Sequence, residues 1–169
     1  MPVPMEIRTI LVPVDGGPPS EAAVRYALSL AQEERTTLVF CHVQVPVPGY
    51  VLDEPLPTGM NVESPEALAW WSAHVLERAQ ARAAQLGLNA RTCSVRANPV
   101  RGILDVARAQ GVDLIIMGTH GRHGAARALL GSVTEEVLRR ANVPVLILPP
   151  AAPPRSSGNV DAEDPGALA

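Results

Sequence analysis

Three observations make this chain a single α/β domain, an open parallel sheet with helices on both faces. Short apolar runs of β-branched character alternate with segments of helical periodicity, and glycine- or proline-marked turns separate them. The helical segments are long enough to serve as crossovers between parallel strands, and a helix in each crossover covers the sheet. A chain of 169 residues suits one domain, large enough to bury about two thirds of its unfolded surface.

Ile7 to Val14 is the first strand, broken sharply at Asp15-Gly16-Gly17-Pro18-Pro19. A helix is expected from about Ser20, with Ala23, Ala27, Leu30 and Ala31 at helical spacing. Thr36 to Val43 is the second strand, and the proline-rich stretch Gln44 to Glu63 reads as a lid-like loop. Ser64-Pro65-Glu66 supplies an N-cap, a proline at the first helical position and an acid at the positive end. That helix runs to about Leu86 and stops at Gly87, which suits the residue just past a helix. Asn89 to Val95 is the third strand. Asn98-Pro99 repeats the cap-then-proline start of a helix that ends before Gly111. Leu114 to Met117 is the fourth strand, Ser132 to Ala141 the last helix and Val143 to Leu148 the last strand. Beyond it the apolar content almost vanishes, so the expectation is a domain over residues 1–150 and a disordered tail over 151–169.

Composition narrows the function. Apolar residues make up 47% of the chain and aromatics only 3%, so the core must be aliphatic. A net charge of −3 argues against nucleic acid as a partner, because binding a phosphate backbone needs a basic face. All 14 basic residues are arginine, which excludes a P-loop lysine and Schiff-base chemistry. Cys41 and Cys93 sit in apolar strand-like runs and are expected as buried free thiols; no metal-binding spacing exists. The N-terminus lacks the basic and apolar regions of a signal peptide, and no apolar run reaches the roughly 20 residues of a membrane span. A soluble, cytoplasmic protein is expected.

The segment richest in chemistry follows the fourth strand. Met117-Gly118-Thr119-His120-Gly121 leads through Leu130-Gly131-Ser132-Val133 into the last helix. Glycines let backbone N–H groups approach a ligand, and a helix N-terminus carries unpaired donors and a partial positive charge. Together they make a phosphate cradle. Arg122 and Arg127 are candidate charge partners. In an open parallel sheet, ligands bind at the carboxyl ends of the strands, where the strand order reverses. If the first and fourth strands flank that point, Asp15 shares the crevice with the phosphate loop. An ionised carboxylate only accepts hydrogen bonds, so Asp15 suits ribose hydroxyls or an exocyclic amine.

Each of these residues also has a purely architectural reading. Asp-Gly-Gly favours a tight turn by itself, and Gly118 and Gly121 serve as well in a turn as at a ligand. Ser132-Val133-Thr134-Glu135 fits a capping box, in which the Ser132 hydroxyl accepts from the N–H of Glu135. His120 and His123 have no further metal ligands in range. No nucleophile is paired with a base, and neither Gly-x-Ser-x-Gly nor the Walker pattern is present.

Taken together, these residues resemble the universal stress protein family (A-type domain, ATP-binding subgroup) from Ile7 to Pro149. Ile10-Leu11-Val12-Pro13-Val14-Asp15-Gly16 is similar to the family's first strand and turn. Leu114 to Arg122 is similar to its fourth strand and phosphate loop. The ATP-binding members carry glycine, two residues, glycine, nine residues, then glycine and Ser or Thr; Gly118, Gly121, Gly131 and Ser132 keep that spacing in full. Gly17 stands where the family often has Ser, and Ala97-Asn98-Pro99 lacks a glycine common there.

The resemblance implies a Rossmann-like, open twisted five-stranded parallel sheet of order 3-2-1-4-5, usually dimeric. It implies ATP as ligand, with or without Mg2+, with Pro13, Asp15, Val43, Met117 and Gly118 toward the adenosine. Gly121, Gly131, Ser132 and Val133 would hold the phosphates, with Arg122 beside them. An apolar last strand at a sheet edge also needs cover, which a symmetric homodimer through Val143 to Leu148 provides. The expected function is a nucleotide-dependent regulator in stress response, with at most slow ATP hydrolysis, since nothing is placed to activate water. The alternative is a dimeric interaction module of the same fold that binds no nucleotide. A transferase or ligase would need acceptor and catalytic residues that the chain does not offer.

Overall fold

The computed structural model describes residues 6–32, 35–45, 56–61, 64–119 and 130–149. Five strands, β1 (Thr9–Pro13), β2 (Thr37–Gln44), β3 (Asn89–Arg96), β4 (Leu114–Gly118) and β5 (Val145–Leu148), form one sheet. All are parallel and ordered β3-β2-β1-β4-β5. Four helices connect them: α1 (Pro18–Leu30), α2 (Pro65–Gln85), α3 (Pro99–Ala109) and α4 (Ser132–Arg140).

Side chains alternate across each strand and so divide the core in two. Ile10, Val12, Leu38, Phe40, Leu114 and Ile116 face α1 and α2, whose Ala23, Val24, Ala27, Trp71 and Val75 pack on them. Leu11, Val39, Cys41, Ile115 and Met117 face α3 and α4, meeting Val100, Ile103, Leu104 and Val137. The central strands are buried on both sides, which is why they read as continuous apolar runs. β3 is different: it lies at an edge, and its exposed positions are polar.

Caps set the helix ends largely as the sequence implies. Ser64 accepts from the N–H of Ala67 at 3.1 Å, and Asn98 accepts from those of Val100 and Arg101. Gly87 and Gly111, just beyond α2 and α3, both have positive φ.

Three boundaries differ from expectation. α1 begins at Pro18, two residues before Ser20, because a helix's first N–H groups have no partner inside it and proline loses nothing there. β1 spans Thr9–Pro13 and not Ile7 to Val14. β5 pairs only from Val145; Val143 instead packs against the α3–α4 side of the core. Of the lid-like stretch Gln44 to Glu63, residues 46–55 and 62–63 lie outside the described residues, as do the tail from 150 onward and residues 1–5.

Candidate functional site

The strand order reverses between β1 and β4. β1 leads through α1 to β2 on one side, and β3 crosses through α3 to β4 on the other. Their ladder holds Ile10 against Leu114 and Leu11 against Ile115, then stops. By contrast β1 pairs β2 as far as Pro13–Cys41, and β4 pairs β5 as far as Gly118–Leu148. The carboxyl ends of β1 and β4 thus lie side by side without a ladder between them, where a crevice belongs. Pro13 and Asp15 stand on one lip, Met117 and Gly118 on the other.

The β1 lip is held from several sides. Val14 donates its N–H to the carbonyl of Cys41 at 2.8 Å, and its own carbonyl accepts from Nδ1 of buried His42 at 2.7 Å. A carbonyl can only accept, so that nitrogen carries the proton. Asp15 takes the N–H of Gly17 on its Oδ1 at 2.9 Å, closing a turn in the way its sequence allows. Ser20 braces the same turn, accepting from the N–H of Asp15 and donating to the carbonyl of Gly17. Between them Gly16 adopts φ +81°, with the Trp71 ring lying where a side chain would start. The turn and sugar-binding readings of Asp15 are compatible, since a carboxylate has two oxygens.

The β4 lip carries the helix mouth. Thr119, the first residue past β4, gives its N–H to the carbonyl of Leu148 at 2.9 Å and takes the N–H of Gly131 on its own carbonyl at 2.7 Å. Thr134 donates its Oγ1 hydrogen to the carbonyl of Gly118 at 2.9 Å. The N-terminus of α4 is therefore clamped against the end of β4. The chain leaves at Thr119 and returns at Gly131 to the same point.

The clamp corrects one expectation. Gly131, not Ser132, is the N-cap of α4; its carbonyl takes the N–H of Glu135, and no side chain caps the helix. The capping box does not form, because the helix starts one residue too early for Ser132 to be its N-cap. Ser132 becomes the first helical residue and is exposed. The N–H groups of Ser132, Val133 and Thr134 then precede any intrahelical acceptor and point out of the helix mouth. Gly131 directs its own N–H to Thr119, so at this site it provides room and not a donor.

Gly118 is held to glycine by packing, since a Cβ there would meet Pro19 of α1. Val43 is half-buried at the end of β2, its methyls against Gly102 of α3. Gly121, Arg122, Arg127, His120 and His123 lie outside the described residues. Trp71 is buried, whereas Trp70 is half-buried beside it. Among the described residues no cluster of His, Cys, Asp or Glu could hold a metal, and no helix is long and apolar enough to cross a membrane.

His42, Thr119 and Thr134 escaped the sequence reading. His42 had a signal, a lone polar ring inside an apolar strand. Thr134 had one too, lying in the first turn of α4 on the side that faces the sheet.

Comparison with known proteins agrees with this architecture. The family model described as Universal stress protein family matches residues 6–149. The universal stress protein YxiE of Bacillus subtilis is 32% identical over 152 residues, covering 82% of this chain and 97% of its own. The solved structure of MJ0577, a protein of Methanocaldococcus jannaschii, superposes with a TM-score of 0.73 at 25% identity, covering 88% of this chain and all of the other. A universal stress protein solved in complex with cAMP superposes at 0.63 with 25% identity, over 86% of this chain and 99% of its own.

Proposed function

Because the chain belongs to the universal stress protein family, we propose that the crevice between β1 and β4 binds an adenine nucleotide, ATP foremost. One observation carries the reading: the mouth of α4 is clamped by Thr119 and Thr134 at the carboxyl end of β4, next to the strand that leads into Asp15. Three N–H groups then converge on an anion, from a helix whose dipole favours it. Gly121 and Arg122, outside the described residues, complete the proposed phosphate-binding set. Pro13, Val43, Met117 and Gly118 line the adenosine side, and Asp15 accepts from the sugar. The cAMP bound by a structural relative supports this choice of base and phosphate. Any Mg2+ arrives with the nucleotide, held by its phosphates.

In this proposal the protein is a nucleotide-dependent regulator in stress response that hydrolyses ATP slowly at most. The proposed assembly is a homodimer through β5. The carbonyls of Pro144 and Leu148 point to β4, so the N–H and C=O groups of Val145 and Ile147 point out of the sheet. A second copy of that strand would satisfy them.

The test is calorimetric titration of the full chain with ATP, ADP, AMP and cAMP, in wild type and Ser132→Asp. An aspartate in the first turn suits the helix dipole but repels phosphate. The variant is expected to keep its melting temperature and to lose at least about tenfold in ATP affinity, ~1.4 kcal/mol. Absence of binding by all four nucleotides overturns the proposal. It would favour the second reading, an interaction module of the same fold, for which the contact of Gly118 with Pro19 supplies a purely architectural reason for that glycine.

A further inference from the structure

Cys41 and Cys93 are 52 positions apart in sequence, 93 minus 41, yet are direct partners in the β2–β3 ladder. Both face the α3–α4 side of the sheet, Cys41 inside the core and Cys93 packed at its margin. Paired residues on adjacent strands lie about 4.8 Å apart, inside the roughly 4.4–6.8 Å that a disulfide spans between Cα atoms. Both cysteines are free thiols.

Their surroundings differ in a way that assigns roles. Cys41 is fully buried, while Cys93 lies on an edge strand and is half-buried. An oxidant from solution therefore reaches Cys93 first. Interaction between the two facing thiols holds Cys93 below the ordinary thiol range and, with burial, pushes Cys41 far above it. The accessible sulfur is thus also the better thiolate, and thiolate is the reactive form.

We propose that Cys41 and Cys93 are a redox-active pair that closes to a disulfide across β2 and β3 on exposure to a hydroperoxide. The Cys93 thiolate attacks one peroxide oxygen; an S–O bond forms, the O–O bond breaks and hydroxide leaves, giving a sulfenic acid. Cys41 sulfur then attacks Cys93 sulfur. The S–S bond forms, the S–O bond breaks, and the departing hydroxide takes the Cys41 proton as water. Two thiols are oxidised and one peroxide is reduced to water. β3 and β5 are opposite edges of the sheet, so a dimer through β5 leaves Cys93 open.

The test uses the reduced full-length protein and stoichiometric hydrogen peroxide under native conditions. Intact-mass spectrometry is expected to show loss of two hydrogens from the monomer, with both thiols blocked to alkylation after denaturation and restored by dithiothreitol. Cys41→Ser is expected to stop at a sulfenic acid on Cys93 that dimedone traps. Cys93→Ser should leave Cys41 reduced. The wild-type mass alone decides if either variant fails to fold. Oxygen added to Cys93 without a crosslink, a disulfide joining two copies, or unchanged thiols each overturns the proposal.

Discussion

Gly118 and Pro19 leave no room for a side chain between them: a Cβ on Gly118 would lie 2.5 Å from the Pro19 Cβ and 2.7 Å from its carbonyl carbon and oxygen. The end of β4 thereby rests on the first turn of α1. Neither partner can give way easily, since the obstacle includes backbone. Gly118→Ala is expected to cost about 1–3 kcal/mol through overpacking, read as a lower urea midpoint at unchanged slope. An unchanged midpoint would show that the two elements part freely.

Gly16 faces two obstacles at once. Its φ of +81° disfavours any L side chain, and a Cβ would come within 2.8 Å of the Trp71 ring. The backbone term alone is about 1–2 kcal/mol. Gly16→Ala is expected to lower the melting temperature and shift tryptophan emission to the red as Trp71, now 2% exposed, is pushed toward water. Emission identical to wild type would count against that packing.

Thr134→Val keeps the shape of the side chain and removes its hydroxyl. The carbonyl of Gly118 loses a donor in a buried place, at a cost of about 1–3 kcal/mol. Since the hydroxyl also clamps the mouth of α4, nucleotide affinity is expected to fall with stability. Calorimetric titration and urea denaturation of the same variant check both; a loss of stability with full affinity would separate the clamp from the site.

Ile147→Pro removes one N–H that points away from β4 and leaves the inner ladder intact. Edge strands tolerate proline on their outward side. The variant is expected to fold and to run as a monomer in light scattering at micromolar concentration, with wild type dimeric. A monomeric wild type would end the dimer proposal.

Legibility in the sequence followed the range of the physics. Ser64, Asn98, Gly87 and Gly111 act on backbone within a few residues, so their caps and turns could be read directly. The neighbouring of β1 and β4 was conditional on a strand order that local pattern does not encode; it came from the family resemblance and agrees with the structure. The capping box at Ser132 failed because a contact from Thr119, outside the four-residue window, decides where α4 begins. The pairing of Cys41 with Cys93 was likewise invisible, since register between distant strands fixes it.

Thr119 ties the outermost strand and the mouth of the last helix to a single residue, one through its N–H and the other through its carbonyl. The proposed quaternary contact and the proposed anion capture would therefore act on one shared joint. If either biases that joint, thermodynamic reciprocity requires the other to respond by the same factor. Self-association constants measured with and without nucleotide should then differ by the ratio seen in nucleotide affinity between monomer and dimer.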